Sequence, residues 1–296
     1  MAVEYQQVPS GRRRRNLLVW GVSVLLVATL IAVSASVAVA LWSSGPVSSD
    51  LLVGDFESTI IGRCKAYLAK NKEDSSKNDC EEVWKAFSGA YLGKDPCEVS
   101  VEAYDPLMRA VSERPACDRM LFWSKTRDFV HDFTAKTKCQ LTLEDTLLGY
   151  MMNDQTYWCS EKGSSVTFTE KGKCPGWDEC ERNPMKSFWK RASAAFAESA
   201  CGDVAVMLNG SIDTPFAPDS IFASVEVKKF HSPKMKALKV VLVTKGKDDK
   251  ANCKNKSLQN LKDALDPRLS YECLEVPQSK IIDCTSHPDK ACGNCW

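Results

Sequence analysis

Asp203-Val-Ala-Val-Met-Leu208, ending in Asn209-Gly210, and Ala237-Leu-Lys-Val-Val-Leu-Val-Thr244 decide the fold class. Both are short, rich in β-formers and bounded by turn residues. Ala223 to Val227 and Arg268 to Val276 read as further strands of the same half, and Met120-Leu-Phe-Trp123 as a short strand earlier in the chain. Helical stretches separate them. Val83, Trp84, Phe87 and Tyr91 recur at helical spacing over 81–91. Thr142 opens a predicted helix over 142–150 as its N-cap, with Glu144 and Asp145 in the first turn. Asn183-Pro184 is an N-cap followed by proline at the first helical position, and that helix stops near Gly202. Strands alternating with helices predict an α/β (α+β) ectodomain: a C-terminal lobe with a small, largely parallel sheet flanked by helices, and a mostly helical N-terminal lobe. The helical lobe takes about 51–117 and 144–200, and the α/β lobe about 118–143 and 201–296. A cleft between such lobes is a favoured ligand position.

Towards the N-terminus the pattern changes. Leu17 to Trp42 carries no charge and follows the basic block Arg12-Arg13-Arg14-Arg15. As a helix this run reaches about 39 Å, against a bilayer core of ~30 Å. The expectation is one N-terminal transmembrane helix over 17–42, residues 1–16 in the cytosol by the positive-inside rule, a Ser/Gly/Pro linker over 43–50, and an ectodomain over 51–296. The rival is a cleaved signal peptide ending at Ala38-Val39-Ala40, but the apolar run is longer than the ~7–15 residues of a signal h-region. All 14 cysteines follow the run, from Cys64 to Cys295, which places them in an oxidising compartment. Asn209-Gly210-Ser211 and Asn255-Lys256-Ser257 are glycosylation sequons that fit an exported chain. The C-terminus, ending Cys292-Gly-Asn-Cys295-Trp296, lacks the hydrophobic tail of a lipid-anchor signal. The expected location is the plasma membrane, single-pass, with the C-terminal domain outside.

The formal net charge is only +1, so no nucleic-acid partner is expected. Glycine-dependent dinucleotide and P-loop motifs are absent, as are a G-x-S-x-G elbow and an H-E-x-x-H zinc motif. One C-x-x-C, Cys292 to Cys295, does not make a metal site, and no metal is expected. Three local features remain. Glu226, between Val225 and Val227, lies on the opposite face of its predicted strand from the valines, aimed either at solvent or into a cleft. Glu144-Asp145 sits at a helix start, where helix-dipole complementation suffices for Asp145. Trp123 and Trp189 are core aromatics by default, but with a carboxylate between them they would clamp a flat cationic ring.

Leu143-Glu-Asp-Thr-Leu-Leu-Gly-Tyr150, Phe122-Trp-Ser124, Asn183-Pro184 with Phe188-Trp-Lys190, Val206-Met-Leu-Asn-Gly-Ser211 and Ser224-Val-Glu-Val227 resemble, in order, the ADP-ribosyl cyclase / cyclic ADP-ribose hydrolase family. The resemblance covers the ectodomain from Cys64 to Cys284. The predicted anchor makes the chain similar to the transmembrane branch of that family. The resemblance implies an ecto-enzyme that cleaves the nicotinamide–ribose bond of NAD to ADP-ribose, with cyclic ADP-ribose as a further product and pyridine base exchange as a side reaction. NAD and cyclic ADP-ribose are then substrates, and no cofactor is needed. The alternative is a receptor or adhesion ectodomain of the same fold that has lost catalysis.

By the same resemblance, Glu226 is the catalytic glutamate, Trp123 and Trp189 position nicotinamide, and Glu144 contacts its carboxamide and restrains cyclisation. Ser124, Lys125, Ser193, Ser220 and Phe222 lie in the substrate-holding segments, and Asp154 matches the family's further acidic position. Ile221 stands where the family carries threonine, with Ser220 as a neighbouring hydroxyl; Ala223 replaces a glycine; Lys125 and Arg127 exchange the usual basic types. The implied disulfides are Cys64–Cys80, Cys97–Cys180, Cys117–Cys201, Cys159–Cys174, Cys253–Cys273, and Cys284 with Cys292 or Cys295. Cys139 either joins the cysteine left over or stays free and could link two chains as a homodimer.

Overall fold

The computed structural model describes residues 50–71, 78–111, 113–155, 157–247, 249–288 and 295–296. The predicted cytosolic tail and transmembrane run, the predicted linker up to residue 49, and Cys292 lie outside these residues. Among those described, no helix is long and apolar enough to cross a membrane. Chain contacts separate a unit ending at Leu52 from one over Val53–Trp296, and it is the second that carries the fold.

Helices α1 (Asp50–Lys70), α2 (Cys80–Ser88) and α3 (Asp105–Ala110) come first. Strand β1 (Leu121–Ser124), α4 (Arg127–Thr137), α5 (Leu147–Met152) and the long α6 (Pro184–Glu198) follow. The chain then runs through β2 (Gly202–Asn209), β3 (Met235–Thr244), α7 (Lys256–Ala264), β4 (Ser270–Pro277) and α8 (Gln278–Ser286). The sheet is wholly parallel in the order β1-β2-β3-β4. Register pairs Phe122 with Val206 and Val206 with Val240.

Alternation along these strands divides the core. Phe122, Val204, Val206, Leu208, Leu238, Val240 and Leu242 face the larger cluster, which also takes Phe87, Leu147 and Phe188 from the helices. Leu121, Ala205, Met207, Val241 and Val243 face the other way, onto Val130 and Phe133 of α4, Ile281 of α8 and the C-terminal Cys295. With both faces covered, the central strands can be almost continuously apolar, as parallel strands usually are.

Two readings of local structure are overturned. Ala223 to Val227 is not a strand: Phe222–Glu226 is a π-helical turn leading into a 3-10 turn over Val227–Lys229. Glu226 and its neighbour Val227 are both buried, while Ser224, two residues before Glu226, is only half-buried, which breaks the alternation a strand would show. The turn is held locally, since the Ala223 amide donates to Ser220 Oγ (3.1 Å) and Ser224 Oγ donates to the Ser220 carbonyl (2.7 Å). The predicted helix over 142–150 is two pieces. A 3-10 turn, Leu143–Asp145, is closed by a Thr142/Asp145 capping box, and α5 restarts with Thr146 as its own N-cap.

The six expected disulfides form: Cys64–Cys80, Cys97–Cys180, Cys117–Cys201, Cys159–Cys174, Cys253–Cys273, and Cys284 with Cys295. Cys139 is disulfide-bonded as well, and no described cysteine is free, so Cys139 is not the free thiol of the second alternative. Asn255 caps α7 through its Oδ1, which accepts from the Ser257 amide at 2.8 Å, while Asn209 Nδ2 donates to the Lys125 carbonyl at 3.2 Å.

Candidate active site

Parallel sheets place their ligand sites beyond the carboxyl ends of the strands. Here a cleft of about 1000 Å³ opens beside the end of β1, against α6 and the π-helical turn. Trp123, Ser124, Lys125, Glu144, Asp154, Trp189, Ser193, Ser220, Phe222 and Glu226 all line it. Each is delivered by a different local device. Ending β1 at Ser124 and turning at Lys125, whose φ is +57°, brings Trp123 to the cleft edge. Helix α6 presents Trp189 and, one turn on, Ser193. The π-helical turn carries Glu226 inward behind Phe222, which packs among Phe122, Phe216 and Phe230. π-turns inside helical segments recur at functional sites because the extra residue re-aims the side chains that follow.

Glu144 depends on Gly149. A Cβ on Gly149 would lie 2.0 Å from the Leu143 carbonyl oxygen and 2.5 Å from the Glu144 Cα. Only glycine lets α5 pack this tightly beneath the 3-10 turn that carries Glu144. The Trp123 indole Nε1 donates to Glu144 Oε2 at 3.3 Å, and His131 of α4 meets the Trp123 ring edge-on at 5.5 Å. Trp189 is half-buried and stacks edge-on against Phe188.

Glu226 is buried, and the loss of hydration pushes its carboxyl up to about 8. A hydrogen bond from the Ser193 hydroxyl pulls the other way, and the charge of Glu144 adds to the rise. An unpaired carboxyl with a strongly raised pKa inside a cleft is what a functional carboxylate looks like before it meets a cationic partner.

Elsewhere the cleft is heavily ion-paired. Arg127 bonds Asp154 at 2.8 Å, and Glu181 bonds both Lys186 and Lys190 of α6. Those two hydrogen bonds, Lys186 first, hold the Glu181 carboxyl down at about 2. Among the described residues Lys125 is the cleft-lining cation with no ion pair. The Ser220 hydroxyl, next to Ile221, donates to the Ala217 carbonyl at 2.7 Å and accepts from the Ala223 amide at 3.1 Å. Sequence reading missed Trp177, Glu181, Lys186 and Lys190. The available signal was the four-residue spacing of the two lysines on the helix that carries Trp189. No cluster of metal-ligating side chains occurs among the described residues.

The sequence profile described as ADP-ribosyl cyclase matches residues 54–293. The mouse protein ADP-ribosyl cyclase/cyclic ADP-ribose hydrolase 1 is 34% identical over 253 residues, covering 84% of this chain and 80% of that one. Porcine CD38, solved with a covalent intermediate, superposes with a TM-score of 0.70 at 37% identity, over 75% of this chain and 96% of that one. Aplysia cyclase, solved with the substrate NGD and the product cGDPR, superposes with a TM-score of 0.68 at 27% identity, over 80% and 96%. The chain belongs to the ADP-ribosyl cyclase family.

Proposed function

We propose that this chain is an NAD glycohydrolase and ADP-ribosyl cyclase that also hydrolyses cyclic ADP-ribose. The observation that carries the reading is a single carboxyl, Glu226, buried at the base of a cleft whose walls are Trp123, Trp189 and Glu144. Breaking the nicotinamide–ribose bond builds positive charge on the sugar, as in glycoside hydrolysis. Glu226, ionised beneath that sugar, stabilises the charge more in the transition state than in the ground state. Nicotinamide departs neutral with the bonding electron pair, so no strong general acid is required. The raised pKa fits this role, because bringing the cationic pyridinium close favours the ionised carboxylate.

Trp123 and Trp189 take the faces of nicotinamide, and Glu144, oriented by the Trp123 indole N–H, takes its carboxamide. Lys125, with Ser124 beside it, takes the diphosphate; the Phe222 backbone segment and Ser220 close the other side. Asp154, tied to Arg127, fixes the mouth of the cleft. Ser193 acts through Glu226. Water attacking the sugar gives ADP-ribose, the adenine nitrogen gives the cyclic product, and a second pyridine gives base exchange. Partition among these is a matter of positioning. NAD is consumed, and no bound cofactor takes part.

On topology we place Leu17–Trp42 across the plasma membrane with residues 1–16 inside and the disulfide-bonded domain outside. The support is the uncharged run, the preceding arginines and the oxidised cysteines. The sequons at Asn209 and Asn255 fit that exposure. The direct test is incubation of the purified chain with etheno-NAD. A fluorescence rise that is lost in Glu226→Gln supports the assignment; absence of turnover in the wild-type chain favours a catalytically silent receptor instead.

A further inference from the structure

Lys186 and Lys190 are built into the cleft wall, whereas the carboxylate that neutralises them is not. Their side chains are only 15% and 24% exposed, against 67% for Glu181. Lysines seldom sit that deep, and two ammoniums four residues apart on one helix repel. Lys186 also lies over the Trp177 ring at 5.9 Å. The loop that carries Trp177 and Glu181 is fixed from below. Buried Asn183 donates from Nδ2 to the carbonyls of Trp177 (3.1 Å) and Cys180 (2.8 Å), and Cys180 is bridged to Cys97. The wall therefore offers two pre-positioned cations and an aromatic face, with an exposed side chain as their counter-ion.

We propose that Lys186 and Lys190 form a second anion subsite, masked by Glu181, and that Glu181 sets selection against dinucleotides bearing a phosphate monoester beyond the diphosphate. Lys186 precedes Ser193, the partner of Glu226, by seven residues of α6, about 10 Å along the helix. That is too far for the ribose being cleaved and suits the adenosine end of the same ligand. A surface carboxylate holds such lysines weakly, so a phosphate can displace it, but at the expense of the existing pairs. The subsite rests on the reading of this cleft as the NAD site.

The test is equilibrium binding to the full chain, followed by tryptophan fluorescence, of adenosine 5′-monophosphate and adenosine 2′,5′-bisphosphate. Binding requires no turnover, so NAD cleavage by the same preparation checks the catalytic reading separately. Glu181→Gln is expected to improve the preference for the bisphosphate over the monophosphate by about fivefold or more, an effect that shrinks at high salt. Adding Lys186→Gln should remove the gain. An unchanged preference in Glu181→Gln overturns the proposal, and so does an equal gain for both ligands, which would instead place the common 5′-phosphate at these lysines.

Discussion

The floor and the rim of one cleft treat a glutamate in opposite ways. Glu226 on the floor is buried with a serine as its hydrogen-bond donor, and its carboxyl rises to about 8. Glu181 on the rim is exposed between two lysines, and its carboxyl falls to about 2. At neutral pH in the empty cleft the rim group is fully charged and the floor group largely protonated. Desolvation without a cationic partner stores a demand for positive charge, whereas pairing at the surface extinguishes it. The floor can respond to a cation that develops during a reaction; the rim is already satisfied.

The sharpest way to break this contrast is to neutralise the floor. Glu226→Gln is nearly isosteric and should lower NAD turnover by at least ~100-fold in an etheno-NAD assay; near-normal turnover would remove Glu226 from the mechanism. Next in size is a displaced Glu144. Gly149→Ala has to push the 143–144 backbone away, and Glu144→Gln removes the charge without moving it. Both should raise cyclic ADP-ribose relative to ADP-ribose several-fold by chromatography, as a positioning effect. A Glu144→Gln variant with the parent ratio would contradict the role given to Glu144.

A smaller effect is expected in the pH profile. If Glu226 must be ionised, kcat/KM for NAD rises with pH through about 8, the value for the free chain. Ser193→Ala removes a bond that lowers that value and should move the limb up by about half to one pH unit. Glu144→Gln should move it down. The limb for kcat should lie lower than that for kcat/KM, since bound NAD brings a cation.

The smallest effect is on stability. A carboxyl raised from 4.5 to about 8 on folding binds more protons in the folded than in the unfolded state. Its contribution is therefore present below pH 4.5 and lost as pH rises through about 8. Melting temperatures should show Glu226→Gln gaining on the wild type by a few degrees towards alkaline pH. Parallel melting curves from pH 5 to pH 9 would contradict the burial of an unpaired carboxyl.

Much of this architecture was legible in the sequence because it rests on long, periodic runs. The strands around Val206, Val240 and Val276 emerge within one or two residues of their expected ends, and Asn183-Pro184 marks the start of α6. The segment around Glu226 was not legible. Val225-Glu226-Val227 alternates like a strand, but five residues are too few for period to decide, and Phe222 seated among three other phenylalanines imposes a helical turn. Thr142 and Thr146 are both good N-caps three residues before an amide partner, so one expected helix becomes two. The ten site residues, scattered from 123 to 226, came together through resemblance and not through periodicity. The rim pair was overlooked because two lysines and a glutamate on a helix and its approach read as a solvated face.

The Cys117–Cys201 bridge has a consequence for covalent integrity. It joins the segments that enter two neighbouring strands, and the 84-residue separation between its ends contains Trp123, Glu144, Asp154, Trp189 and Ser193. These wall residues thus belong to one closed ring of chain, while Glu226, with Ser220 and Phe222, hangs outside it on the segment after β2. A protease that cuts once inside this ring opens it without releasing a piece. In an extracellular setting the two halves of a nicked molecule stay tethered, and the walls remain on the same covalent body as the carboxylate they enclose.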